Sequence, residues 1–142
     1  MTVDTFNLQR FVDAQADVYE EALAELAQGR KTTHWMWFVF PQLRVLGRSV
    51  TAHYYGIASV EEACAYLQHP VLGSRLLECV DHLLALDIAN PHVIFGSPDD
   101  MKLRSCLTLF GAAAPDEPRF GDVLRKFYPD GPDEKTLQLL AP

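Results

Sequence analysis

No apolar run in the 142 residues approaches the roughly 18 needed to cross a bilayer, so the sequence predicts no membrane span. The opening Met1-Thr2-Val3-Asp4 has no basic segment followed by an apolar one, which argues against a secretory leader. Cysteine is scarce. Cys64, Cys79 and Cys106 are odd in number and have no short spacing, which excludes a disulfide framework and leaves each as a small apolar side chain in a helical setting. There is no Gly-rich phosphate loop, since neither the P-loop nor the Rossmann spacing occurs. A Gly-x-Ser-x-Gly elbow and a local Cys-His signature are also missing. Positive charge is in short supply too. Against 19 acids stand 12 Lys and Arg residues, a formal net charge of −7. Such a field repels phosphate backbones and disfavours a nucleic-acid partner, although a local basic pocket remains open. These absences describe a soluble protein of a reducing, cytoplasmic compartment, with no membrane partner and no cofactor implied.

What is present is apolar mass. Hydrophobic residues make up 49% of the chain, enough to bury a core without disulfide or metal staples. Charged residues are an ordinary 22%, which argues against disorder. No repeat, low-complexity run or dividing linker occurs, so residues 1–142 read as one domain. The mass is concentrated in His34-Trp35-Met36-Trp37-Phe38-Val39-Phe40-Pro41-Gln42, which holds both tryptophans. Most of this stretch must lie inside, because an exposed patch of its size would aggregate or bind something.

Helical signals surround it. Asp4 or Thr5 can cap a short first helix with Leu8, Phe11 and Val12 on one face. Tyr19, Ala22, Leu23 and Leu26 mark a second helix over 17–28, with Gly29 as its left-handed stop. Alternation does not fit Trp35–Phe40; the helical surroundings favour a short helix capped by Thr32 or Thr33 and ended by Pro41. Ser49 can cap a helix over 50–55. Ser59 and Glu62 form a capping box for a helix to Gln68. Pro70 opens the clearest amphipathic helix, with Leu72, Leu76, Cys79, Val80, Leu83 and Leu86 inward. Asn90 can cap a single turn through Phe95. Ser97-Pro98-Asp99-Asp100 reads as a strong start for a helix to Ala113, with Ser97 as cap. Phe120, Val123, Leu124 and Phe127 mark the next helix, and 134–140 the last. The predicted architecture is all-α: one compact bundle of seven to nine short helices.

The order of these motifs resembles a known family. Phe6-Asn7-Leu8-Gln9-Arg10-Phe11, the tryptophan segment through Gln42, Gly47-Arg48-Ser49, His69-Pro70-Val71-Leu72-Gly73, Ile94-Phe95-Gly96 and Asp100-Met101-Lys102-Leu103-Arg104-Ser105 look like those of the domain-of-unknown-function family 1810. The likeness covers nearly the whole chain. It implies an all-helical domain and no established reaction, ligand or cofactor. The calpastatin label sometimes attached to that family belongs to a disordered inhibitor, and this composition is that of a folded domain. The chain departs from the family in having Cys106 where a second Ser tends to stand.

Candidate chemistry centres on the tryptophan segment and a set of cations. His34, the indoles of Trp35 and Trp37, and Gln42 offer aromatic faces with polar edges, which suits a flat ring or nucleobase; the competing reading makes Trp35 and Trp37 core, with their N–H groups on backbone carbonyls, and places His34 on the surface. Arg10, Arg44, Arg48, Lys102 and Arg104 are cations beside aromatic or Gly-Ser segments, and the Arg fork fits phosphate or carboxylate. Gly47-Arg48-Ser49 at a helix start would add backbone N–H groups, and Ser105 a hydroxyl. Ordinary pairing competes: Asp100 with Arg104, and Asp99 with Lys102, on one helix face. Cys79 and His82 share a face, but no second ligand pair exists, so no metal is predicted. Asp13, after Phe11-Val12, is the carboxylate that draws notice against a plain surface role.

Two functions compete. In the first, the chain binds or processes a small anionic, nucleotide-like metabolite; this requires His34, Trp37, Arg48, Lys102 and Ser105 to meet in one cleft. In the second, it is a non-enzymatic helical interaction module whose motif residues only hold the fold.

Overall fold

Fourteen consecutive helical residues, Leu72–Ala85, and fifteen more, Asp99–Ala113, form the two long members of the fold. The computed structural model describes residues 4–141. Among these residues the α-helices are α1 (Gln9–Gln15), α2 (Tyr19–Gln28), α3 (Met36–Val39), α4 (Val50–Tyr54), α5 (Val60–Gln68), α6 (Leu72–Ala85), α7 (Pro91–Phe95), α8 (Asp99–Ala113), α9 (Pro118–Phe127) and α10 (Glu134–Leu140). A 3-10 turn at Arg44–Leu46 and a single parallel bridge between Leu43 and Ile57 are the other regular features. The fold is all-α, as the periodicity predicts. The α-helices among the described residues number ten, with the tryptophan stretch and the Asn90-capped turn each forming one.

Helices α5, α6, α9 and α8 touch in a closed cycle, and the rest are added around it. α2 lies on α6, α7 and α10 lie on α8, α1 meets α3, and α4 meets the 3-10 turn. α6 buries Leu72, Leu76, Cys79, Val80 and Leu83 on one face, as its spacing requires. α8 is different. Neighbours on several sides bury every residue from Ser105 to Phe110. Its hydroxyls are satisfied within the helix, Ser105 donating to the Met101 carbonyl and Thr108 to that of Arg104. Cys79 and Cys106 are buried and Cys64 is partly buried. Burial pushes the Cys79 thiol up to about 12, so it is an inert core side chain.

Local chemistry explains most helix ends. The Asp4 carboxylate accepts the N–H groups of Leu8 and Gln9 at 2.7 and 2.9 Å, opening α1. Ser49, Ser59, Asn90 and Asp133 cap α4, α5, α7 and α10 through side-chain oxygens. Gly29, at φ 75°, closes α2 with a Schellman pair: its own N–H reaches Leu26 O and that of Arg30 reaches Glu25 O. The backbone of Gly73 comes so close to α5 that a Cβ there would sit 2.0 Å from the Leu67 carbonyl oxygen.

Three starts differ from the sequence prediction. Ser97 does not cap α8; the helix begins at Asp99 after a cis Ser97–Pro98 bond, and the Pro98 carbonyl accepts the N–H of Lys102. α6 begins at Leu72 rather than beside Pro70, with His69 Nδ1 accepting the N–H groups of Val71 and Leu72. Neither Thr32 nor Thr33 caps α3, because both are turned to Glu25.

Candidate functional site

The tryptophan segment folds as one helical turn with two faces. Trp35, Met36, Val39 and Phe40 are buried, and Trp35 and Phe40 both meet the ring of Phe95 edge-on. Trp37 and Phe38 lie on the other, half-buried side. The turn stops early because Pro41 cannot continue it and because Gln15 Nε2 takes the Phe38 carbonyl at 2.6 Å.

The two tryptophans therefore have separate fates. Trp35 is fully buried, and its indole N–H donates to Glu25 Oε1 at 3.0 Å. The same carboxylate accepts the N–H groups of Thr32 and Thr33 and the Thr33 hydroxyl. Burial raises the Glu25 pKa, but these donors outweigh it and bring the group down to about 2. Trp35 is core, anchored by a charge-assisted bond. His34 is exposed and borders none of the cavities described below, so it does not join the other expected residues.

Trp37 lines a cavity of about 430 Å³ together with Gln42, Arg48, Ser49, Lys102 and Ser105. Six of the eight expected site residues thus meet in one place. Leu46, Gly47, Ala52, Pro98, Met101, Asp133 and Lys135 complete the wall. Three segments build it: α3 and the loop after it with the start of α4, Pro98 and the first turns of α8, and the start of α10. The lining is mostly apolar, with cations at its edge.

Each polar group there has a definite state. Lys102 Nζ lies 4.8 Å from the centroid of the Trp37 ring, so the indole face carries a cation. Lys102 also meets Asp99 Oδ1 at 3.3 Å, the pairing expected from their spacing, while Lys31 meets Asp99 Oδ2 at 2.9 Å. Two ammonium groups share one carboxylate, so a net positive charge remains. Arg48 is exposed and has no acidic partner among the described residues. Asp133 faces the cavity, but its Oδ2 is engaged by the N–H and hydroxyl of Thr136. Ser105 spends its hydroxyl hydrogen on Met101 O. Ser49 accepts the Ala52 N–H and so is held in place as the cap of α4.

Two of the remaining cations of the expected set, Arg10 and Arg104, serve the fold. Arg10 is buried and spends its guanidinium on the carbonyls of Phe6, Asn7, Tyr54 and Gly56 and on Glu62 Oε2 at 2.8 Å. Glu62 Oε1 accepts the Ala58 N–H, so one buried pair ties α1, the end of α4 and the start of α5 together. Arg104 does not pair with Asp100. It donates to the Gly131 carbonyl at 2.9 Å and lies over Tyr128, while Asp100 faces His92. Arg44 turns its backbone N–H to Ile57 O and does not line the cavity. Asp13 is exposed and accepts from Gln9. No cluster of three or more His, Cys, Asp or Glu side chains that could hold a metal occurs among the described residues. No helix among them is long and apolar enough to cross a membrane.

Sequence reasoning missed Met101, Asp133 and Lys135. Met101 was legible in principle, being four residues before Ser105 on one helix face. Nothing in the order of residues ties 133–135 to position 37.

The sequence pattern of a family described as a protein of unknown function (DUF1810) matches residues 5–140. A crystal structure of the conserved hypothetical protein Rv1873 from Mycobacterium tuberculosis is similar, with 52% identity and a TM-score of 0.96 over 98% of this chain and 99% of that one. No protein of curated function matches.

Proposed function

We propose that this chain, which belongs to the DUF1810 family of proteins of unknown function, binds a small anionic, nucleotide-like ligand in the cavity between α4 and α8. The observation that carries this reading is the meeting of Trp37, Arg48 and Lys102 at one cavity of about 430 Å³. That volume is in the range of small-molecule sites, and an apolar wall with a few convergent polar groups is their usual make-up. The local charge supports an anion. Arg48, Lys102 and Lys135 border the cavity of a chain whose overall charge is −7, and the acid that faces it is engaged as a helix cap. Arg48 would grip a phosphate or carboxylate through its planar fork. Lys102 would add a point charge. Trp37 and Leu46 would cover the apolar or aromatic part, and Gln42 would read its polar edge.

The test is a thermal-shift titration with nucleoside mono- and diphosphates and sugar phosphates, wild type beside Arg48→Ala. A ligand at a hundred times its dissociation constant stabilises the fold by about 2.7 kcal/mol. The reading holds if a phosphate compound raises the midpoint of the wild type and not of the variant. Equal shifts in both proteins, or none in either, would overturn it.

A further inference from the structure

The loop Gly47-Arg48-Ser49 borders two hollows. One is the cavity that holds Trp37; the other, of about 470 Å³, is bordered by the same three residues and by Val50, His53 and Tyr54. Arg48 is the charged side chain common to both. The second hollow has its own aromatic wall. Tyr54 leaves 52% of its surface exposed, and its ring is steadied by an edge-on contact with Tyr55 at 4.8 Å. Its backbone is fixed as well, because the Tyr54 carbonyl accepts from the buried Arg10 at 2.8 Å. Val50, 88% exposed, adds apolar surface beside it. An aromatic and an aliphatic side chain held open to solvent next to a cation have no structural task that the fold reveals.

We infer that the two hollows form one bipartite site for a molecule with two flat ring systems joined by a diphosphate, one ring against Trp37, the other against Tyr54, and the diphosphate at Arg48. The inference rests on the reading of the Trp37 cavity as an anion site and extends it to the ligand's class. A mononucleotide would fill one hollow and leave the aromatic of the other unused. A linked pair of rings would use both, and the second ring would bind at the high effective concentration that the link provides. Tyr and Trp suit such a task, since each offers a rigid face at small entropic cost.

Binding is measured by calorimetry for three dinucleotides, each beside its own halves: nicotinamide adenine dinucleotide, flavin adenine dinucleotide and diadenosine diphosphate against the matching mononucleotides. The expected result is that one dinucleotide binds at least about tenfold more tightly than either half. Tyr54→Ala should abolish that advantage while the affinity for the half that occupies the Trp37 side stays as in the wild type, which also reports that the variant is folded. Tyr54→Phe should keep the advantage. If the halves bind as tightly as the whole, or if Tyr54→Ala leaves the advantage intact, the bipartite site is overturned and the single-cavity reading stands. If no nucleotide of either size binds, both fall.

Discussion

The indole N–H of Trp35 ends on the carboxylate of Glu25, 3.0 Å away, at the point where α2 hands the chain to the tryptophan segment. Four donors converge on that carboxylate, and their preference for its charged form places the Glu25 pKa near 2. In the unfolded chain the group titrates in the usual carboxylate range. A depressed folded pKa contributes stability that is complete above the unfolded value and is lost as pH falls toward the folded one. The contribution is about 3 kcal/mol. Glu25→Gln should therefore lower stability at neutral pH and flatten the decline of stability between about pH 5 and 2. Denaturant titrations across that interval decide it; parallel pH profiles for the two proteins would refute the role assigned to Glu25.

The buried Arg10–Glu62 pair predicts an order of effects. Arg10→Met takes the guanidinium from four backbone carbonyls, of which that of Asn7 keeps the residue-10 N–H, and from one carboxylate, whereas Glu62→Leu leaves one N–H and one guanidinium that keeps its carbonyls. Each change should cost on the order of 3–5 kcal/mol, with Arg10 the worse. The double variant should be less unstable than the sum of the two. Urea unfolding of all four proteins gives the cycle. An additive result would mean that the pair carries no coupling.

Lys126 of α9 donates to the carbonyls of Leu83 and Leu84 at 2.9 and 3.0 Å, and to that of Leu86. These carbonyls belong to the last turn of α6 and the residue beyond it, where a helix lacks internal partners and its dipole favours positive charge. Lys126→Met keeps the stem and removes the donors. A loss of about 2 kcal/mol is expected, with an unchanged urea m-value because the surface buried stays the same. A variant as stable as the wild type would show that water replaces the ammonium at no cost.

The contrast between the tryptophans is visible in fluorescence. Trp35 is sealed in the core, while Trp37 lies beside Lys102 at the cavity. Iodide should quench part of the emission, and caesium much less, because the local charge is positive. Trp37→Phe should remove the iodide-sensitive fraction and leave a blue-shifted remainder. Lys102→Gln should weaken iodide quenching without exposing Trp35. Quenching that survives Trp37→Phe would contradict the burial of Trp35.

The sequence by itself determined the class of fold and most of its punctuation. Apolar residues at helical spacing, Ser49, Ser59 and Asn90 before their helices, and Gly29 after α2 act through bonds only a few residues long, so their effect can be read locally. The candidate cluster was legible in part, since Trp37, Gln42, Arg48 and Ser49 lie within one short segment. What only the tertiary structure decided is which polar group meets which. Arg10 and Arg48 look alike in sequence, yet one is consumed by partners 44, 46 and 52 residues away and the other faces an open hollow. The same holds for Trp35 and Trp37, parted by a single short helical turn that sets one against Glu25 and Phe95 and the other against Lys102. Helix spacing specifies that a side chain points inward; the packing of distant helices specifies what it finds there.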